Sequence, residues 1–346
     1  MITSEMLTII GAPASPYTRK MLAVLRHRRI PYQFLINQSK HNLPKPKVGL
    51  IPIVYFRNSE GQLEPAVDST PIIRKLEVEY SGRSIIPRDP ATAFLNYLLE
   101  DYGDEWLTKA MFHYRWAYPK DADMAGSILP FYQGGIAQSN QKIVAQKKAF
   151  SERQISRLGV VGSNETTKEV IEGSFLKFLT CLNNILQSYP FLLGAGPRSC
   201  DFAFFGQLTQ LAQFDPTPSD IIIKRFPRVH AWVSTIEDLS GLDVSDSCDL
   251  EIQALGARLS DLLGEVGQTY APVMLRNEEA INSGKTKFET LVRDKPWRQD
   301  VFPYQAKCLH WLRIEFSKLE PTDRQKIYEI FDGTGCELLI DKPHKE

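Results

Sequence analysis

The hydrophobic pattern changes period near residue 88. Before it, short apolar runs alternate with helical stripes. Leu7-Thr8-Ile9-Ile10 reads as a buried strand and Met21-Leu22-Ala23-Val24-Leu25 as the apolar stripe of a helix over about 16–29. That helix ends in His27-Arg28-Arg29, cations that suit its C-terminal dipole. Residues 32–36 form a second apolar strand. The polar stretch 37–48 carries Pro44 and Pro46, which argue against a long helix. Residues 51–56, a turn at Asn58-Ser59-Glu60-Gly61 and residues 62–67 predict a hairpin. Asp68-Ser69-Thr70-Pro71 then opens a helix whose apolar positions are Ile72, Ile73, Leu76 and Tyr80. The order is βαβ, hairpin, α.

From Asp89 onward the period is helical. Phe94, Leu95, Leu98, Leu99, Tyr102 and Trp106 keep i, i+3, i+4 spacing, so 91–116 reads as one long helix. Residues 119–138, with Pro119, Gly126, Pro130, Gly134 and Gly135, read as irregular, either a lid or a long loop. Further helices are expected at about 140–158, 165–188, 200–213 and 227–239. In the last hundred residues the pattern predicts helices at about 250–264 and 266–282. A hairpin of 287–292 with 298–302 follows, then closing helices at 304–319 and 322–331.

Composition narrows the partners. Of 346 residues, 41 are Lys or Arg and 41 are Asp or Glu, so the formal charge is zero. This balance gives no electrostatic footprint for nucleic acid or an anionic membrane, and neither is expected as a partner. No apolar run approaches the ~18 residues of a membrane span. The first residues lack the charged leader and apolar core of a secretory signal. The five cysteines are scattered and form no CxxC pair, which argues against a disulfide framework or a zinc site. A reducing cytoplasm is the expected compartment.

The stretch with the most chemical promise is Ser15-Pro16-Tyr17-Thr18-Arg19-Lys20, where strand gives way to helix. A small hydroxyl there faces free N–H groups and the positive end of the helix dipole, a setting for an anion or a thiolate. Taken alone, Ser15 is better read as an N-cap with Pro16 at the first helical position. Pro52 inside a strand has two readings, a cis bond after Ile51 or an edge strand, and the sequence leaves both open. The acidic run Glu100-Asp101-Tyr102-Gly103-Asp104-Glu105 fits no metal-ligand spacing and reads as a solvated face or as inter-domain salt bridges. No G-x-S-x-G surrounds any serine, so a Ser-His-Asp hydrolase is excluded.

Taken together, four of these features resemble cytosolic glutathione transferases. They are the Ser15-Pro16-Tyr17 opening, Ile51-Pro52-Ile53, Asp68-Ser69, and Phe191-Leu192-Leu193-Gly194 followed by Asp201-Phe202-Ala203 and Phe226-Pro227-Arg228-Val229. The resemblance covers the first ~240 residues. It implies an α/β thioredoxin-like domain over 1–88, an all-α domain over 89–245 and, beyond the usual family length, a mostly helical extension over 246–346 with a possible β-hairpin. It further implies transfer of the thiolate of glutathione, as co-substrate and without a metal, to a small hydrophobic electrophile, in a cytoplasmic homodimer. Ser15 would contact the sulfur, Ile51 and the cis-Pro52 the cysteinyl backbone, and Asp68 and Ser69 the γ-glutamyl end. Lys45 or Lys47 would meet the glycine carboxylate, and Tyr17, Tyr102, Trp106 and Tyr114 would offer the hydrophobic substrate site. Ser15 and Thr18 stand where redox-active relatives carry cysteines, which argues against disulfide exchange. Arg198 stands where the family usually has a Ser or Thr cap, so either Ser199 caps that helix or the helix starts differently. The alternative reading is a non-catalytic binding protein that uses the extension as an interaction surface.

Overall fold

A computed structural model describes residues 6–36, 41–243 and 249–340. Its N-terminal part holds β1 (Leu7–Gly11), α1 (Pro16–His27), β2 (Tyr32–Ile36), β3 (Ile53–Arg57), β4 (Leu63–Ala66) and α2 (Ser69–Glu79). The strands form one sheet in the order β2-β1-β3-β4, with β2 parallel to β1 and the other pairings antiparallel. A parallel pair needs a crossover, and α1 supplies it. Alternate side chains separate the two faces. Ile9, Val54 and Phe56 join α1 and α2 in the main core, while Ile10, Ile53 and Tyr55 pack on the other face with Leu35, Leu43 and Leu63.

Register brings three separate segments to one end of this sheet. Ile10 pairs with Ile53, so the chain leaving β1 and the Ile51-Pro52 segment entering β3 meet the sheet at the same end. Val54 pairs with Ala66, so β4 leads toward Asp68 at that end as well. The Ile51–Pro52 bond is cis, which settles the choice the sequence left open. Helices α1 and α2 both begin at this end.

The remainder is mostly helical: α3 (Pro90–Glu105), α4 (Leu107–Ala117), α5 (Pro119–Gly134), α6 (Asn140–Ile155), α7 (Lys168–Ile185), α8 (Ser199–Thr209), α9 (Pro216–Arg225) and α10 (Pro227–Ile236). Two expectations fail here. The long helix over 91–116 is broken at Trp106, whose φ of −100° ends α3 and starts α4. The apolar spacing runs through this break without a gap, so periodicity could not reveal it. Residues 119–134 are helical rather than irregular. Pro130 removes one donor, yet Ala122, Ala125 and Leu129 bury against Ala14 and Trp116 and hold the helix.

The C-terminal part holds α11 (Ile252–Asn282), β5 (Lys287–Val292), β6 (Lys295–Asp300), α12 (Pro303–Ser317), α13 (Pro321–Phe331) and α14 (Glu337–Ile340). The two helices expected over 250–282 are one, with Pro272 inside it. The hairpin turns on two residues, Arg293 and Asp294, at φ 51° and 59°, so its second strand starts earlier than expected. That is a primed two-residue turn without the usual glycine or asparagine, which hid it. Leu259, Leu262, Trp297, Leu309 and Phe331 belong to the same core as Phe94, Tyr102 and Phe178, so this segment is built into the body.

Helix α8 lies against α1 at Gly206, where a Cβ would stand 2.6 Å from the Pro16 carbonyl oxygen. Gly206→Ala must therefore separate the two helices or strain the backbone. We expect a loss of about 1–3 kcal/mol in a urea denaturation, the range for overpacking.

Candidate functional site

Ser15 caps α1: its Oγ accepts the Thr18 N–H at 3.3 Å, and Pro16 takes the first helical position. The first turn carries no acidic residue, so the positive end of the helix is not neutralised locally. The capping bond uses a lone pair of Oγ and leaves its O–H free to donate. The cap and a contact to sulfur are therefore compatible. Thr18 is fully buried, and its Oγ1 accepts the Ala12 N–H at 3.3 Å. Gly11 is needed beneath it, since a Cβ there would lie 2.5 Å from Thr18 Oγ1.

Behind the corner, Arg115 is buried and holds the carbonyl of Ala14 with Nη1 at 3.1 Å. Its other nitrogens meet Asp215 at 2.8 and 2.9 Å and Gln210 Oε1 at 2.8 Å. Nothing in the local pattern at Arg115 marks it as a neighbour of residue 15, a hundred positions away.

The second helix start is held by a buried ammonium. Lys20 is fully enclosed and donates to Glu100 at 2.8 Å, Asp104 at 2.6 Å and the Ser69 hydroxyl at 3.2 Å. Glu100 also accepts from Arg74 and Thr70, each at 3.0 Å, and from Ser199 at 2.6 Å. Burial alone would raise the Glu100 carboxyl, but Lys20, Arg74 and these hydrogen bonds outweigh it and hold it at about 2. Asp104 moves the other way, to about 6, because burial exceeds the attraction of Lys20. The acidic run is thus partly an inter-domain salt bridge and not a solvated face.

Asp68 caps α2 from a left-handed φ of 77° and accepts the Thr70 N–H at 3.3 Å. Its other oxygen accepts the hydroxyl of Tyr304, which comes from α12. No feature around Tyr304 in the sequence points to this contact. Asp68 remains half-buried, Ile51 is exposed, and Lys45 and Lys47 are exposed on the loop that leads to the cis bond.

The aromatic candidates sit elsewhere. Tyr102, Trp106 and Tyr114 are 0%, 3% and 2% exposed. Tyr102 packs among Phe178, Phe204 and Tyr270, Trp106 lies over Trp297 and donates to Ser174, and Tyr114 stacks on Tyr118. These three are core side chains, because helix–helix packing closes over them. Tyr17 donates its hydroxyl to the Asp104 carbonyl at 2.8 Å, tying α1 to α3. The apolar cluster that includes Ala14, next to Ser15, contains Trp116 and Leu129 with the partly buried Phe112 and Tyr132.

The departure at Arg198 is resolved by Asp201, the third residue of the helix. Arg198 is the N-cap position of α8 and has no acceptor to offer, so only the Asp201 half of a capping box forms, taking the Arg198 N–H at 2.8 Å and the Leu192 N–H at 2.9 Å. Ser199 does not cap; it bonds Glu100 instead. Among the described residues no group of three or more His, Cys, Asp or Glu is arranged to hold a metal ion, and no helix is long and apolar enough to cross a membrane. Cys248, one of the five thiols, lies outside the described residues.

Residues 9–84 match the family model described as glutathione S-transferase, N-terminal domain. The match spans the Ser15 corner, the cis-Pro52 strand and Asp68-Ser69. Solved structures similar to the chain include a glutathione S-transferase from Rhodospirillum rubrum F11, 14% identical, covering 67% of this chain and 88% of that one at a TM-score of 0.41. Another is a glutathione transferase family member from Pseudomonas fluorescens pf-5 with two glutathione bound, 14% identical, with coverage of 68% and 89% and a TM-score of 0.40. A third is a GST-like protein from Pseudomonas syringae, 16% identical, with coverage of 68% and 67% and a TM-score of 0.43. No curated protein matches the chain.

Lys20→Met leaves the enclosed Asp104 without its cation and Glu100 with Arg74 alone, and we expect a loss of about 3–5 kcal/mol at neutral pH in a denaturant titration. Glu100 gives a pH signature of its own. Its folded value of about 2 lies below the unfolded carboxylate value, so its contribution is complete above about pH 4.3 and disappears as pH falls toward 2. A Glu100→Gln chain should lack that acid limb when stability is followed between these values.

Proposed function

We propose that the chain binds glutathione across the sheet end formed by Ser15, Ile51-Pro52 and Asp68-Ser69, and transfers its thiolate to a small hydrophobic electrophile. The observation that carries this reading is the convergence of those three segments, through strand register, inside a segment that matches the transferase N-terminal domain. The Ser15 O–H donates to the sulfur, the backbone at Ile51 pairs with the cysteinyl residue, and Asp68 receives the γ-glutamyl ammonium with Ser69 at the helix start. Lys45 or Lys47 meets the glycine carboxylate.

The energetics are sufficient. A free thiol has a pKa near 8.5, and lowering it by two units takes about 2.7 kcal/mol. A hydrogen bond to a charged acceptor contributes roughly 1.5–3 kcal/mol and a helix N-terminus roughly 0.3–1 kcal/mol. Ser15 and α1 together reach that range. The thiolate sulfur then attacks an electrophilic carbon, forming a C–S bond as the leaving group departs with its electron pair, or, at an activated double bond, as the π pair shifts to the neighbouring atom and takes a proton from water. We place the electrophile against Phe112, Trp116 and Tyr132, because this cluster adjoins Ala14.

A second reading keeps the ligand site but not the chemistry, with the C-terminal segment serving assembly. The contact of Tyr304 with Asp68 favours it, since the segment reaches into the ligand site. A homodimer in the cytoplasm is part of the first reading, and sedimentation of the full chain checks its oligomeric state.

The discriminating experiment is conjugation of glutathione to a generic aromatic electrophile as a function of pH. Ser15→Ala should raise the apparent thiol pKa by about 1–2 units, the equivalent of the lost hydrogen bond. An unchanged profile would assign activation of the sulfur to another group, and absence of turnover in the unaltered chain would favour the second reading.

A further inference from the structure

Tyr304 belongs to the C-terminal segment, more than two hundred residues from the matched domain, yet its hydroxyl lies 2.5 Å from Asp68 Oδ2. The other oxygen of that carboxylate is fixed by the Thr70 N–H. Both carboxylate oxygens are thus directed, and both residues remain partly exposed. Tyr304 is itself firmly placed. Its ring packs against Phe302 and Trp311, with centroids at 6.3 and 6.1 Å. The Phe302 backbone is clamped on both sides by the fully buried Asn277, which donates to its carbonyl at 2.9 Å and accepts its N–H at 2.7 Å. The next residue, Gln305, donates to the Glu105 carbonyl at 3.1 Å and anchors α12 to α3.

We propose that Tyr304 is a positioning residue for the ammonium end of the bound peptide: it orients the Asp68 carboxylate, and through it the C-terminal segment takes part in ligand selection. This inference rests on the reading of the site as a glutathione site. The chemistry favours orientation over obstruction. A phenol that donates to one lone pair of a carboxylate leaves other lone pairs for a ligand ammonium, and the phenol oxygen remains an acceptor beside them.

The same hydrogen bond favours the charged form of Asp68, although burial still leaves its carboxyl above the usual range. Burial raises the Asp68 carboxyl, while Tyr304, Lys20 and the Thr70 N–H act to lower it and Glu100 acts to raise it. Asp104 and Cys308 complete the titratable surroundings from α3 and α12. Without the phenol O–H, Asp68 gains its proton at a higher pH, and an ammonium ligand is released earlier on acidification.

The test uses the full chain and Tyr304→Phe, which keeps the ring packing and removes only the hydroxyl. Calorimetry compares glutathione with cysteinylglycine, which lacks the γ-glutamyl group, and thermal melting controls for folding. We expect binding of glutathione to weaken about tenfold, binding of cysteinylglycine to stay the same, and the acid limb of glutathione binding to move to higher pH. In an Asp68→Asn background, Tyr304→Phe should add little, because the two act through one contact. Equal weakening of both ligands means a merely structural role and overturns the inference, as does unchanged or tighter binding of glutathione. An unaltered chain that binds neither ligand defeats the underlying reading as well, whereas one that binds glutathione without a Tyr304 effect defeats the inference alone.

Discussion

One buried ammonium sets the geometry on which the site depends. Lys20 projects from α1 and gathers Ser69 from α2 and Glu100 and Asp104 from α3, with no solvent to screen it. Removing a charge from water costs several kcal/mol, and only well-placed opposite charges and hydrogen bonds recover that cost. The three helices are therefore confined to arrangements that keep all three contacts. The relative position of the Ser15 corner and the Asp68-Ser69 helix start follows from that confinement. The opposite pKa displacements of Glu100 and Asp104 follow from their partners, since Glu100 has Arg74 and two hydroxyl donors besides Lys20 whereas Asp104 is lowered by Lys20 alone against its burial.

Around that anchor, ordinary structural devices acquire chemical use. Ser15 caps a helix as many serines do, but the cap consumes an acceptor and leaves a donor at the positive end of α1. Arg115 ties the preceding carbonyl to Asp215 and Gln210, so the corner is supported from the helical body as well as from the sheet. Asp68 caps α2 in the same economical way, and its remaining oxygen is claimed by Tyr304. Each candidate side chain is thus also a structural one, oriented by contacts within the protein itself.

Local patterns carried the sheet, α1, α2 and most helices, because amphipathic spacing and turn residues are short-range signals. They also marked Ser15, Pro52 and Asp68-Ser69, whose residue types suit helix starts and a proline-bearing strand end. What they could not carry is long-range. The break at Trp106 leaves the apolar period intact, and the Arg293-Asp294 turn lacks the expected turn chemistry. The contacts of Lys20, Arg115 and Tyr304 span roughly fifty to two hundred and forty positions, so no window of sequence contains both partners. The aromatic candidates for the hydrophobic site lie on amphipathic helix faces, and burial of Tyr102, Trp106 and Tyr114 shows that this face serves the core.

In the proposed complex one peptide thiol spans three chain segments at the end of the sheet. Amide hydrogen exchange with and without saturating glutathione measures this directly. Added protection is expected in peptides covering residues 12–18, 51–53 and 68–70, with little change at the far end of the sheet. Binding that leaves these three segments unprotected, or that protects a different surface, would contradict it.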